Sequence, residues 1–283
     1  MVKGFIDTHA HPPTEEYLVT AGGQYITAAA KHFGGSIRPR TFDEMIIEYD
    51  AANVEKVVLV AWDAETTTQL PKVPNDFIAK AVDQYPGRLI GFACVDPHKG
   101  KAAVKELERA FKDLKLQGAK FHPIAQAFYP NDKQYYPLFE KCLEYDVPVS
   151  VHTGTTGWGS GLPGGGQMKL KYANPMYLDE VAADFPELRL IASHPSWPWQ
   201  NEQLAVAMHK SNVYVEISGW SPKYFEPILV TYMTKLISDR VVFGTDYPFL
   251  TPKRWLKDFE TLDIRPEVKQ KILRNNAVKL LKL

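Results

Sequence analysis

Short apolar, β-branched runs alternate with longer amphipathic segments along most of the chain. The apolar runs have the length and composition of buried strands, and they occupy residues 5–9, 56–61, 89–95, 118–122, 147–152, 188–193, 213–217 and 241–244. The amphipathic segments predict helices, at residues 41–52, 75–85, 101–114, 135–145, 175–185, 203–210 and 227–237. Thr41 and Glu44 have the spacing of a capping box. Pro175 stands where a first helical turn tolerates proline.

Strands that alternate with helices predict parallel βα units covered on both faces of the sheet. Eight such units in about 250 residues are typical of a (β/α)8 barrel, whose active site lies at the carboxyl ends of its strands. The remaining length predicts an insertion between the first strand and its helix, at residues 14–40, and additional helices from Pro252 onward. Because the chain contains no linker or repeat, we expect one domain over residues 1–283.

Composition narrows the class of function. The 283 residues include 33 basic and 33 acidic side chains without a long charge block, which gives no support for a nucleic-acid or anionic-membrane partner. No apolar stretch reaches the roughly 18 residues of a membrane helix, and the start of the chain lacks an apolar signal region. Two cysteines are too few for a disulfide framework. The sequence therefore predicts a cytoplasmic protein that acts on a small molecule.

Histidines gather at the predicted strand ends. His9 and His11 share one side of the first strand, because side chains alternate with period two. His122, His152 and His194 end the fourth, fifth and sixth strands, and Asp246 ends the eighth. Imidazole nitrogens with one carboxylate suit zinc, or another borderline divalent ion such as manganese. This convergence predicts a divalent-metal site at the mouth of the barrel.

Four motifs resemble the amidohydrolase superfamily: DTHAHP at residues 7–12, VHTG at 151–154, SHPSW at 193–197 and GTDYPF at 244–249. The likeness extends to NNAVKLL at 275–281. It is greatest for the amidohydrolase-2 branch, which is related to aminocarboxymuconate semialdehyde decarboxylase. Within it, residues 120–132, 161–166 and 193–199 resemble 4-hydroxyphenyl-β-ketoacyl-CoA hydrolases.

The resemblance implies metal ligands at His9, His11, His152 and Asp246, with zinc as the expected ion and manganese as the alternative. It implies catalytic roles for His194 and Asp246 in a hydrolase of a small carbonyl compound, such as an aryl β-ketoacyl thioester. In that reaction Asp246 takes the proton of the metal-bound water and His194 stabilises the oxyanion. Dimerisation is a further expectation from the resemblance.

Two alternatives to hydrolysis remain open. A metal-dependent non-oxidative decarboxylase of an aryl or unsaturated acid would use the same ligands, with Asp246 protonating the carbon that loses carbon dioxide. It would need a cationic anchor, and Arg38, Arg40 or Lys120 has the required charge. A barrel that only binds its ligand is the other alternative, since the site rather than the fold decides function.

Lys120 precedes His122 by two residues and shares its face of the fourth strand. A free ammonium there would hold an anionic substrate group, which we expect. A carboxylated lysine would instead bridge two metal ions. His122 shares the mouth with the ligands, so we expect it to contact substrate or to support a ligand.

Five of the six tryptophans fall just beyond strand ends. Because these loops form the mouth of a barrel, we expect substrate contacts from Trp158, Trp197 and Trp220, although packing of loops onto the barrel is the alternative. The glycine-rich segment 153–166 follows the fifth strand. It lacks the Gly-Lys-Ser/Thr ending of a phosphate loop, which favours a mobile lid.

Overall fold

A closed barrel of parallel strands forms the centre of the molecule. The computed structural model describes residues 4–283. Within them the strands are β1 (Phe5–Ala10), β2 (Val54–Val60), β3 (Leu89–Phe92), β4 (Ala119–Phe121), β5 (Val149–His152), β6 (Leu190–Ser193), β7 (Val213–Glu216) and β8 (Val241–Val242). The orders β1-β2-β3 and β4-β5-β6-β7-β8 are joined by parallel bridges from Ala93 to Ala119 and from Ala10 to Tyr247. The predicted (β/α)8 barrel is confirmed.

The α-helices follow the strands along the chain, and three of those in residues 4–283 come after β8. In the described residues they are α1 (Gly23–His32), α2 (Phe42–Asp50), α3 (Glu65–Thr68), α4 (Asn75–Gln84), α5 (Lys101–Lys112), α6 (Pro123–Gln126), α7 (Tyr136–Glu144), α8 (Met176–Asp184), α9 (Gln200–His209), α10 (Pro227–Thr231), α11 (Pro252–Phe259), α12 (Pro266–Gln270) and α13 (Asn276–Leu281). Within residues 4–283, three π-helical segments occupy Glu16–Ala21, Tyr232–Leu236 and Lys271–Asn275.

The structure tests three local predictions: the capping box, the position of Pro175 and the insertion after β1. The capping box at α2 is confirmed, because Thr41 Oγ1 accepts from Glu44 N at 3.1 Å and the Glu44 carboxylate accepts from Thr41 N at 2.8 Å. Pro175 lies one residue before α8 and not inside its first turn. The predicted insertion at 14–40 contains the first π-helical segment and α1.

Side chains inside the barrel form an apolar lower layer and a polar upper one. The lower layer joins α13 in one buried cluster: Ile6, Val58, Val60, Ile90, Phe92, Ile191, Tyr214, Val242, Ala277, Leu280 and Leu281. Helix α13 therefore covers the amino-terminal end of the barrel. This leaves the carboxyl ends of the strands as the polar end, where the candidate site lies.

A single domain over residues 1–283 stays a prediction, and residues 1–3 lie outside the described part of the chain. None of the helices in residues 4–283 is both long and apolar enough to cross a membrane.

Candidate metal centre

His9, His11 and Asp246 converge above the ends of β1 and β8. One ligand atom of each lies within 4.8 Å of the others. Asp246 Oδ1 is 3.7 Å from His9 Nε2 and 3.4 Å from His11 Nε2. His9 Nε2 is buried without a hydrogen-bond partner in the described structure. Two imidazoles and a carboxylate with an unpartnered buried nitrogen fit a divalent cation.

Asp7 holds the ends of β1 and β8 together. Its Oδ1 accepts from His9 N at 2.9 Å and from Thr245 N at 3.0 Å. Its Oδ2 accepts from Tyr49 Oη at 2.8 Å and from Thr245 Oγ1 at 2.5 Å. Burial raises the pKa of Asp7 to about 6, against the lowering effect of these donors. This carboxylate fixes the spacing between the strand that carries His9 and the loop that carries Asp246.

Glu216, at the end of β7, lies beneath the same group. Its Oε2 is 3.0 Å from His9 Nδ1 and 2.9 Å from Ser218 Oγ, and its Oε1 accepts from Ser218 N at 2.6 Å. Ser218 Oγ also lies 2.6 Å from His194 Nδ1. His9, His194 and Glu216 form a second group with the spacing of metal ligands. The carboxylate of Glu216 is thus connected to both His9 and His194.

His152 lies outside both three-residue groups. Its Nε2 is 3.1 Å from the carbonyl oxygen of Thr155, its ring stacks on His122 at 4.0 Å, and it lies 5.0 Å from the ring of His194. His122 Nε2 is in turn 3.2 Å from Thr156 Oγ1. Both imidazoles therefore contact the glycine-rich segment that follows β5, and the role of His152 as a metal ligand stays a prediction.

Lys120 is buried in the barrel below the histidines. It is 1% exposed, and its Nζ donates to Ser150 Oγ at 3.4 Å. Burial lowers the pKa of Lys120 to about 8, whereas the carboxylates of Glu216 and Asp246 raise it. Burial raises the pKa of Glu216, whereas the hydrogen bonds from Ser218 and the Lys120 ammonium favour its ionised form. The Lys120 ammonium is close enough to lower the pKa of each histidine of the site.

The histidines are held in their neutral form. Burial lowers the pKa of His9 and His194 well below its usual value and that of His152 to about 3, and the Lys120 ammonium lowers all three further. Burial likewise lowers the pKa of His11, although Asp246 opposes the shift. Neutral imidazoles are the form that binds a metal ion.

Aromatic rings cover the mouth of the barrel. Tyr17, from the insertion after β1, stacks on His11 at 4.4 Å with an interplanar angle of 3°. Trp158 lies 4.3 Å from Trp62 and stacks on Tyr25 at 5.5 Å. Trp158 is only 7% exposed, and its Nε1 has no hydrogen-bond partner among the described residues. The mouth is therefore lined by flat apolar surfaces that suit a planar substrate.

The other two predicted tryptophan contacts are placed differently. Trp197, on the loop after β6, is 52% exposed. Trp220, on the loop after β7, is half-buried. Contact of either ring with substrate stays a prediction, as do the substrate roles of Lys120 and His122.

Sequence reasoning assigned no functional role to four residues that the structure brings into contact with the site: Asp7, Tyr17, Glu216 and Ser218. Asp7 and Glu216 each carry a signal in the sequence, since a carboxylate within an apolar strand needs a buried partner. The partners of Glu216 in the structure are His9 and Ser218. Tyr17 gave no signal, because its position depends on how the insertion folds back over the barrel.

The chain matches a known protein family along nearly its whole length. A family described as amidohydrolase matches residues 6–283. The chain belongs to the amidohydrolase family. The resemblance seen in the strand-end motifs is thereby confirmed.

Relatives of this amidohydrolase add detail. Gamma-resorcylate decarboxylase of Polaromonas sp. strain JS666 is 25% identical over 87% of this chain and 86% of that protein. An uncharacterised TIM-barrel protein from Bordetella bronchiseptica shares the fold with a TM-score of 0.83 and 26% identity, covering 98% of both chains. The 5-carboxyvanillate decarboxylase of Novosphingobium aromaticivorans, a complex with manganese and 4-hydroxy-3-methoxy-5-nitrobenzoic acid, has a TM-score of 0.72 at 20% identity, covering 100% of this chain and 97% of that one.

The relative from Polaromonas contradicts the expected hydrolase activity on a small carbonyl compound or aryl β-ketoacyl thioester. The relative from Polaromonas matches along most of the chain and is a decarboxylase. The hydrolase expectation was wrong because hydrolysis and decarboxylation require the same strand-end ligands and the same acid at position 246. The motifs that carried the resemblance therefore do not distinguish the two reactions.

Proposed function

We propose that this amidohydrolase is a metal-dependent, non-oxidative decarboxylase of a small aromatic or unsaturated carboxylic acid. The observation that carries the proposal is the convergence of His9, His11 and Asp246 next to the ring of Tyr17, which stacks on His11 and lies 6.4 Å from the ring of Trp158. The decarboxylase activity of the relative from Polaromonas, similar over most of both chains, supports it.

A divalent ion is the cofactor of this proposal. His9, His11 and Asp246 would hold it, and His152 joins them once its Nε2 leaves the carbonyl of Thr155. Manganese and zinc both suit imidazole and carboxylate ligands, and manganese is present in the related carboxyvanillate enzyme. When bound, the ion supplies Lewis-acid polarisation of the substrate's oxygens.

Asp246 is the proposed proton donor. Its side chain is 18% exposed, against 1% for His9 and 6% for His11, so it is the member of the group that substrate reaches most easily. The carboxylic acid form gives its proton to the ring carbon that bears the substrate carboxylate. The carbon–carbon bond then breaks, its electron pair returns to the π system of the ring, and carbon dioxide leaves, with Asp246 left as its carboxylate.

The surrounding residues bind and orient the substrate. The Lys120 ammonium supplies the positive potential that attracts a carboxylate to a closed, apolar mouth. His194 lies 4.8 Å from the ring of His9 and is the second catalytic side chain of the proposal. His122, Trp158, Trp197 and Trp220 are the proposed substrate contacts, because all four lie on loops or strand ends at this mouth.

The test is release of carbon dioxide by the manganese-loaded and zinc-loaded enzyme from gamma-resorcylate, 5-carboxyvanillate and unsubstituted benzoate. We expect release from at least one hydroxylated acid, and we expect Asp246→Asn to lower kcat by about 10²- to 10⁴-fold. If neither metal form releases carbon dioxide from any acid of the panel, the proposed reaction is wrong.

A further inference from the structure

Glu216 and Ser218 connect two imidazoles that the proposed reaction uses separately. From Glu216 the contacts lead to His9 Nδ1 at 3.0 Å in one direction. In the other direction they lead through Ser218 Oγ, at 2.9 Å, to His194 Nδ1 at 2.6 Å. Glu216 is 0% exposed and Ser218 is equally buried, so water does not compete for these bonds.

The direction of each hydrogen bond follows from the donors. The backbone N–H of Ser218 can only donate, so Glu216 Oε1 accepts at 2.6 Å. His9 Nε2 faces Asp246 and needs a free lone pair to bind a metal ion, which leaves the ring proton on Nδ1. That proton is donated to Oε2 of the ionised Glu216 carboxylate, which the two Ser218 donors and the Lys120 ammonium stabilise.

The hydroxyl of Ser218 has a single proton to give. If it pointed at His194, the oxygen lone pairs of Ser218 and Glu216 would face each other at 2.9 Å. Donation to Glu216 removes this repulsion, and Ser218 Oγ then accepts from His194 Nδ1 at 2.6 Å.

We propose that Glu216 is a positioning residue that sets the tautomer of both His9 and His194, acting on His194 through the hydroxyl of Ser218. His9 is held with its proton on Nδ1 and its lone pair on Nε2. His194 is held in the same tautomer, so its Nε2 accepts a hydrogen bond or a proton and does not donate one. This inference rests on the proposed function for the metal ion at His9 Nε2 and for the use that the reaction makes of the two nitrogens.

The consequence is a change in the role of His194. As an acceptor, its Nε2 suits a hydroxyl group of the substrate, whereas the oxyanion contact expected for a hydrolase needs a donor. One buried carboxylate would thus prepare the metal ligand and the substrate-facing imidazole together.

Glu216→Gln tests the proposal because the backbone fixes how glutamine is oriented. The N–H of Ser218 holds the amide oxygen at the Oε1 position, so the amide NH2 takes the place of Oε2. It then donates to His9 Nδ1 and Ser218 Oγ, which reverses both bonds. We expect metal affinity to fall by about 10- to 100-fold, and the ring proton of His194 to move to Nε2.

The readout is ¹⁵N nuclear magnetic resonance of histidine-labelled protein, with and without zinc, together with chelator competition for zinc and manganese. Ser218→Ala separates the two effects, since it should release only the tautomer of His194 and leave metal affinity near wild type. Ser218→Ala also tests the tautomer of His194 if the Glu216→Gln variant does not fold. Ser221→Ala is the matched control, because Ser221 is a buried serine that donates to the Asp258 carboxylate at 2.5 Å outside this network.

The proposal is supported if the ring proton of His194 is on Nδ1 in the wild type and in Ser221→Ala, and if this tautomer is no longer fixed in Ser218→Ala. A wild-type proton on Nε2 would overturn it, as would a second zinc per chain bound at Glu216. Neither measurement needs substrate. Absence of carbon dioxide release with the expected tautomers would therefore overturn the proposed reaction alone.

Discussion

Asp246 and Gly219 show how closely backbone conformation is matched to the site. Asp246 has a φ of +63°, which aspartate tolerates better than most residues. Gly219 has a φ of +74°, and a Cβ there would lie 3.1 Å from His194 Nδ1 and 3.3 Å from Asp246 Oδ2. Glycine at 219 therefore leaves the space that the two proposed catalytic side chains occupy.

We expect Gly219→Ala to lower kcat by roughly 10- to 100-fold, because the added methyl group displaces His194 and Asp246. The left-handed backbone should cost about 1–2 kcal/mol of stability. Gly87→Ala is the control, since Gly87 has a φ of +76° and none of the described residues lies within 4 Å of a Cβ placed there. Steady-state kinetics and thermal unfolding compare the two variants. Equal loss of kcat in both would contradict a local effect at the site.

His152 and His122 are a matched pair for assigning the fourth ligand. Their rings stack at 4.0 Å and both contact the glycine-rich segment, but only His152 is a proposed ligand. We expect His152→Ala to weaken zinc and manganese binding by more than about 100-fold, because a coordinating nitrogen is lost. His122→Ala should retain the metal. Elemental analysis after dialysis measures this, and retention of metal by both variants would remove His152 from the ligand set.

At the scale of elements, loops from distant parts of the chain close the mouth and α13 closes the base. Trp158 brings the glycine-rich segment onto Trp62, and Tyr17 brings the insertion onto His11. At the other end, Leu280 of α13 lies in one buried cluster with the lower layer of the barrel. The two ends are separate in structure, so a change at the base should affect stability without affecting chemistry.

Leu280→Ala should lower the free energy of unfolding by about 2–5 kcal/mol, because it leaves a cavity among side chains that are fully buried. Urea denaturation measures the loss, and kcat at a temperature where the variant is folded should stay near wild type. Lys279→Ala, on the exposed side of α13, should change stability by less than about 0.5 kcal/mol. A large loss of kcat in Leu280→Ala would show that the base is coupled to the site.

At the scale of the whole molecule, the proposed metal joins the first and last strands of the barrel. His9 and His11 lie on or just after β1, and Asp246 lies after β8. These strand ends are also joined by Asp7 and by the bond from Asp246 N to His9 O at 2.9 Å. A ligand that binds only the folded barrel stabilises it by mass action.

Metal removal should therefore lower Tm. With free metal at 100 times its Kd the expected stabilisation is about 2.7 kcal/mol. We expect one cooperative calorimetric transition, which tests the proposed single domain. A variant with both His9→Ala and His11→Ala should show no response to metal. Equal Tm values for the metal-free and metal-loaded wild type would contradict binding at this site, and size-exclusion chromatography of the same samples tests the proposed homodimer.

The fold was largely readable from the chain because strand and helix periodicities are local properties. Each predicted strand is present, although β3 ends at Phe92 and not at residue 95. The apolar pattern predicted a longer strand because residues 93–95 are also buried. The alternation of the elements then restricted the topology to a parallel barrel. Strand-end position in turn predicted that His9, His11 and Asp246 would meet.

Contacts across the barrel were decided only by the tertiary structure. The bonds of Glu216 to His9 and of Ser218 to His194 depend on the closure and register of the sheet, and the stacking of Tyr17 on His11 depends on the path of the insertion. No local pattern encodes these distances. The sequence by itself determined the barrel and the residue types at its mouth, whereas three-dimensional packing decided which atoms of those residues face one another.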